Sequence, residues 1–204
     1  MGCQCSANTN DQIIDIDNIM NSEDESLPIV SSYPISDYTK KAYRLINKIR
    51  ENPSSFAQVI ENSVKFIQSE KGRLIFNHKL KVALHKGLEV FQEASNALKK
   101  LSPMSKLNFR DEILVQCPEQ ESELKDINIF KEKILKKLET NKIDAYYKDA
   151  IKEPEISVLL MIVDDAEKNS GKKRNSILNP EFKNIAISSS NIGNTFCAYF
   201  TFSK

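Results

Sequence analysis

The chain predicts an α+β domain in which helices come first and a small antiparallel sheet comes last. Three observations carry that expectation. Apolar residues recur at helical spacing from about residue 36 onward. A wholly apolar run, Val158 to Val163, ends on the paired acids Asp164 and Asp165. From Asn184 on, the chain alternates through two strands about a Gly193-Asn194 turn. Helices followed by strands is the order of a layered α+β domain.

At 204 residues, 40% of them apolar, the chain has material for one core plus a tail. The boundary is expected near residue 35, with 1–35 as a flexible acidic tail and 36–204 as the domain. No run reaches the roughly 18 apolar residues of a membrane span, and the N-terminus lacks the apolar stretch of a secretory signal. The four Cys, at 3, 5, 117 and 197, do not form a disulfide framework. An intracellular, reducing location is expected. Residues 1–39 hold seven acids and no Lys or Arg, so the net charge of +1 leaves +8 for the remainder. A basic body can face its own tail or an acidic partner such as tubulin, anionic lipid or nucleic acid.

The first six residues, MGCQCS, place Gly2 after the initiator Met and Ser6 four residues on. That is the N-myristoylation pattern. Cys3 and Cys5 beside it are natural palmitoylation positions. One myristoyl chain binds a membrane only marginally, and the usual basic patch is replaced here by acids, so stable anchoring would need palmitate. The tail also carries an apolar knot, Ile13, Ile14, Ile16, Ile19 and Met20, which is a candidate docking segment for a protein partner; otherwise it is spacer.

Ser36 and Asp37 are candidate caps for a helix whose apolar face is Tyr43, Leu45, Ile46 and Ile49. Lys40, Lys41, Arg44, Lys48 and Arg50 read as its solvated or docking face. Pro53 divides it from a second helix carrying Phe56, Val59, Ile60, Val64 and Ile67. Gly72 breaks the pattern, and a long helix is expected from Leu80 to Leu101 on the stripe Leu84, Leu88, Phe91, Ala94 and Leu98. His78 and His85 fall near its start without ligand-spaced partners, so no metal is expected there. Phe109 to Cys117 reads as one more helix, with Cys117 a small buried apolar group. Residues 118–139 read as a charged loop plus helix, and Ile143 to Tyr147 as an edge strand. Lys172, Lys173 and Arg174 form a basic triplet in a Gly-containing turn, expected to be exposed and to contact a partner.

Two blocks carry a family likeness: LINKIRENPSSFA (Leu45 to Ala57) and IVDDAEKNSGKKRNSILNPEFKNIAI (Ile162 to Ile187). They resemble the CAP superfamily of cysteine-rich secretory, antigen-5 and pathogenesis-related proteins, in its branches without disulfides. Gly87 to Leu101 also fits, and the likeness spans about 38 to 204. It implies an α-β-α sandwich about a three- or four-stranded antiparallel sheet. It also implies a cleft with two His and two acids, sometimes holding a divalent metal. This chain departs from that set. Lys172 or Lys173 stands where a His is expected, Gln116-Cys117-Pro118 stands where an Asp-His pair is expected, and Ala166 replaces a Gly after Asp164-Asp165. An ammonium has no lone pair for a metal, and without His no group of near-neutral pKa is at hand for proton transfer.

The expected function is therefore non-catalytic: a CAP-like protein-binding or structural module with a degenerate site, acylated at its N-terminus. No cofactor, metal, nucleic acid or small-molecule substrate is expected. Dually acylated proteins of this kind suggest the cytoplasmic face of a ciliary or flagellar membrane, or an axonemal or other cytoskeletal assembly containing tubulin. The alternative is a peripheral membrane protein that binds anionic lipid through its basic body.

Overall fold

The computed structural model describes residues 29–118, 136, 143–165 and 171–204. Among the described residues, four helices of substantial length follow in the order the sequence suggests. Helix α1 spans Asp37–Glu51, and the Ser36 hydroxyl accepts from the Thr39 amide to cap it. Helix α2, Pro53–Ser63, begins with its Pro at the first turn, where no amide partner is lost, and the Asn52 side chain caps it. Helix α3 is Leu88–Lys99, and α4 is Pro154–Val163. Helix α4 is buried almost all round, as its continuous apolar run requires.

The stretch between α2 and α3 differs from the sequence expectation. The second helix stops at Ser63, a 3-10 turn covers Val64–Phe66, and Ile67 already lies in a strand. Strands β1 (Ile67–Glu70), β2 (Arg73–Asn77) and β3 (Lys81–Ala83) then form a small antiparallel meander. Lys71 and Gly72, with φ of 51° and 76°, make the two-residue turn between β1 and β2. Positive φ at both turn residues matches the right-handed twist of a hairpin. Leu84 is not helical: its amide donates to the Leu74 carbonyl at 2.8 Å.

The main sheet has the order β4-β6-β7-β5. Strands β6 (Asn184–Ile192) and β7 (Thr195–Ser203) form the hairpin read from the sequence. Strand β5 (Ala145–Asp149) lies antiparallel at the β7 edge. The two-residue strand β4 (Asn108–Phe109) joins β6 in parallel. The expected helix from Phe109 to Cys117 is thus β4, a 3-10 turn over Asp111–Ile113 and extended chain.

The fold is α+β, with the core between the helices and one face of this sheet. Ile185 and Ile187 of β6 and Phe200 and Phe202 of β7 are paired across the strands and buried there. Tyr38 of α1 packs on Phe196 and Phe200. The opposite face carries Cys197, Tyr199 and Thr201, and residues 111–117 lie against it. Thr201 donates to the Ile113 carbonyl at 2.8 Å, and Ser188 donates to the Val115 carbonyl at 2.6 Å. Residues 118–139 fall largely outside the described residues.

Arg50 does not share a solvated face with Lys40 and Lys41. Those two are exposed, Arg44 and Lys48 are half-buried, and Arg50 is 0% exposed. Its Nε donates to the Ser105 carbonyl at 2.9 Å. Nη1 donates to the carbonyls of Ile177 (2.7 Å) and Asn179 (3.0 Å), and Nη2 to that of Phe182 at 3.3 Å. Burial lowers its pKa to about 10, so the guanidinium is still charged at neutral pH. The planar fork reaches all four carbonyls at once, which a Lys ammonium does not.

Residues 31 and 32 are tied down at Asp111. Its carboxylate accepts from Ser31 Oγ (2.7 Å), Ser32 N (2.6 Å) and Ser32 Oγ (2.8 Å). Burial opposes the charge, but these donors outweigh it and hold the carboxyl below the usual aspartate range.

Arg50→Ala leaves buried carbonyls without donors and lowers stability by at least about 3 kcal/mol, read from urea unfolding, with Arg50→Lys recovering little. A loss under about 1 kcal/mol would remove Arg50 from this role. At Asp111 the folded pKa is depressed, so the tether is complete above the ordinary aspartate pKa and is lost as pH falls through the lower folded value. The Ser32 amide NMR shift tracks that transition, and Asp111→Asn abolishes it.

Candidate functional site

The segment from α4 to β6 forms one wall of a cleft of about 230 Å³. Apolar lining comes from Val82, Leu84, Ile151, Leu160 and Met161, and polar lining from His85, Asp149, Asp164, Asp165 and Lys173. Asp164 ends α4 in the left-handed conformation, with φ of 53°. An Asp tolerates that conformation better than a branched residue would. The chain is thereby turned so that the two acids point to different partners.

Each acid is held by the protein itself. Asp164 Oδ2 accepts from the Lys173 amide at 2.8 Å, inside the first turn of α5 (Lys172–Ile177). Asp165 accepts from the backbone amides of His85 and, at 2.7 Å, Lys86, which ties the β3–α3 connection to the end of α4. Asp149 accepts from the Ala150 and Ile151 amides (2.7 and 3.2 Å) and from the Ser157 hydroxyl. That hydroxyl in turn accepts from Tyr38 at 2.7 Å. Burial and the Asp149 charge push the Tyr38 phenol far above its usual range. Ser157 is 0% exposed, so no substrate reaches it as a nucleophile.

The basic triplet does not act as a unit. Lys172 is exposed, Lys173 is half-buried at the cleft, and Arg174 is 5% exposed. The expectation that all three project from a loop is corrected by α5, whose turn carries Arg174 inward. Its Nη1 donates to the carbonyls of Ile162 and Val163, each at 3.2 Å, and Nη2 pairs with Glu93 of α3. Arg174 therefore supplies donors to the C-terminal carbonyls of α4, which have no partner within the helix. Gly171 is required beside it. Its φ is 87°, and a Cβ there would lie 3.0 Å from Arg174 Nη2.

The residue positions that the family likeness assigns to a metal do not converge here. Gln116 and Cys117 line a different cleft, of about 200 Å³, beside Ser36 and Ser188 to Ser190. His78 packs edge-on against Phe66 at 4.3 Å, and His85 alone of the two lines the first cleft. Among the described residues no group of three or more His, Cys, Asp or Glu is arranged to hold a metal. With a Lys ammonium at its rim and its carboxylates bonded to amides, the cleft does not fit a divalent ion. Gly2, Cys3, Cys5 and the knot Ile13, Ile14, Ile16, Ile19 and Met20 lie outside the described residues. Among the described residues no helix is long and apolar enough to cross a membrane.

The sequence did not identify Asp149 or Arg174 as architectural. Asp149 ends strand β5 a few residues before Pro154, which is the place for a side chain that caps a turn. Arg174 gives no local signal, since its acceptors come from α4. Comparison of the chain with protein-family models, with curated proteins and with solved structures finds no match.

If Arg174 is structural and Lys172 is not, substitution separates them. Arg174→Ala lowers the unfolding free energy by about 2–4 kcal/mol, whereas Lys172→Ala changes it by no more than about 0.5 kcal/mol. Equal losses in urea denaturation would contradict the assignment.

Proposed function

We propose that this chain is a non-catalytic, CAP-like module that works by binding protein and is carried on an acylated N-terminal tail. Its role in this reading is structural, as a subunit of a ciliary, axonemal or other cytoskeletal assembly. The observation that carries the proposal is the state of the cleft acids. Asp149, Asp164 and Asp165 accept backbone or buried hydroxyl donors, and a lysine lies beside them where the likeness places a His. A carboxylate whose oxygens are already engaged by fixed amide and hydroxyl donors is oriented away from general acid-base work.

The CAP reading draws support from where its two blocks fall. One, Leu45 to Ala57, is the second half of α1 and the start of α2, locked by Arg50, and the other, Ile162 to Ile187, runs from the end of α4 through α5 into the start of β6. The small sheet next to the helices is of the kind the likeness implies. The parallel strand β4 and the β1–β3 meander are additions to that expectation.

A second reading, peripheral binding to anionic lipid, is favoured by the +8 body and the exposed Lys40, Lys41 and Lys172. Flotation of the unacylated full chain with anionic vesicles distinguishes the two. Binding at physiological salt supports the lipid reading. Affinity capture with the native tail that returns cytoskeletal proteins supports the first, and capture that returns none counts against it.

Acylation has its own readout. Gly2→Ala abolishes incorporation of an alkyne-tagged myristate in cells, and Cys3→Ser with Cys5→Ser moves the protein out of the membrane fraction while myristate labelling persists.

A further inference from the structure

Cys117 and Cys197 are free, buried and brought together from positions 80 residues apart. Cys117 Sγ lies 3.4 Å from the Cys197 carbonyl oxygen and 3.3 Å from Ser188 Oγ. Cys117 Sγ thereby sits against the backbone of the residue that carries the second thiol, on the sheet face that Cys197 shares with Tyr199 and Thr201. The framework on either side is fixed. Cys197 sits in β7 opposite Ser190, and the approach to Cys117 is held by the bonds to the Ile113 and Val115 carbonyls. Cys197 is 0% exposed, whereas Cys117 is 9% exposed and lines the cleft of about 200 Å³. A small polar oxidant can thus reach the pair from one side.

We propose that Cys117 and Cys197 are a redox-responsive pair, which a hydroperoxide entering that cleft converts to a disulfide pinning residues 111–117 to β7. The thiolate of the pair attacks one peroxide oxygen. The O–O bond breaks, and the departing hydroxide takes a proton and leaves as water. The attacking sulfur has lost two electrons and is a sulfenic acid. The second thiol then attacks that sulfur. An S–S bond forms, the S–O bond breaks, and the hydroxide leaves with the thiol proton as a second water. Two thiols and one hydrogen peroxide give one disulfide and two waters. The seat of Cys117 Sγ against the Cys197 backbone makes the second step intramolecular and fast relative to further oxidation.

The electrostatics suit the first step. The pair gives up one proton early because the remaining S–H donates to the thiolate, and Cys197 is pulled down to about 7, with Lys148 assisting. Bonding to Cys197 and burial push Cys117 up. A reversible disulfide of this kind is the form found in reducing compartments.

The test uses the full chain carrying Cys3→Ser and Cys5→Ser, so that only the two buried thiols report. Hydrogen peroxide is added, free thiols are then alkylated under denaturing conditions, and peptides are mapped by mass spectrometry without reduction. The expected result is a linked Cys117–Cys197 peptide pair, two hydrogens lighter, restored by dithiothreitol. The oxidised protein also melts several degrees higher, because the bond closes a long loop. In Cys117→Ser, Cys197 has no second thiol to close on and stops at a sulfenic acid that dimedone traps once the chain is unfolded. Full alkylation of both thiols after peroxide would overturn the proposal. So would separate oxidation to sulfinic acids with no link.

Discussion

The fold turns on a positive charge with no exposed surface. Arg50 sits at the end of α1 and gathers carbonyls from three other segments: the loop after α3, the end of α5, and the turn that leads into β6. No carboxylate neutralises it in those contacts. The charge is stabilised by the inward-pointing dipoles of backbone carbonyls, which would otherwise be buried without donors. The arrangement is mutual. Removing the cation orphans the carbonyls, and moving any segment strands the cation. Neighbouring groups reinforce the same junction. Asn47 grips Leu107 by both amide and carbonyl, at 2.7 and 3.2 Å, and Tyr43 donates to the same carbonyl at 2.8 Å. Helix α1 is thereby a scaffold for loops as much as a packing surface, which is why polar residues on it are buried beside Leu45 and Ile46.

The second buried guanidinium, Arg174, repeats this logic in the same short helix α5 whose last carbonyl Arg50 holds. Arg174 satisfies the last carbonyls of α4, while Asp164, at the same helix end, receives an amide from the first turn of α5. The exchange of donors in both directions lets a buried apolar helix end within two residues of a solvent cleft. Asp165 then links that corner to the β3–α3 connection. Three charged side chains that look like the makings of an active site are the fasteners of a corner. The cleft beside them is what the corner leaves open.

Local pattern revealed the elements whose causes are local. Ser36, Pro53 and the apolar run before Asp164 mark helix limits through caps and missing amides, and the alternation through Phe196 to Phe202 marks a strand. The meander was illegible for a physical reason. Leu80, Leu84 and Leu88 fall four apart and imitate a helical stripe, yet Leu88 is 51% exposed. The turn that makes it a hairpin uses Lys71, a residue with no preference for positive φ. The stretch from Phe109 to Cys117 has apolar residues at helical intervals, but the Arg110 amide bonds to the Ile185 carbonyl and the Ile113 and Val115 carbonyls accept from Thr201 and Ser188 of the sheet. Arg50 and Arg174 could not be read because their acceptors lie far away in sequence, at 55 and up to 132 residues for Arg50.

This redistribution changes what the basic body can present. Two of the cations that sequence alone puts on the surface are committed to carbonyls, and Lys173 is partly withdrawn at the cleft. Committed to those contacts, the two guanidinium groups offer no donor to a partner. Contact with an acidic surface then falls to exposed side chains such as Lys40, Lys41 and Lys172, whose charges are readily screened by salt. Exposed lysines of that kind contribute to the rate and orientation of encounter more than to the strength of a docked complex. An assembly subunit with this surface therefore needs a second, less salt-sensitive attachment. In the proposed reading, acyl chains at Gly2, Cys3 and Cys5 and the apolar knot of the tail supply one.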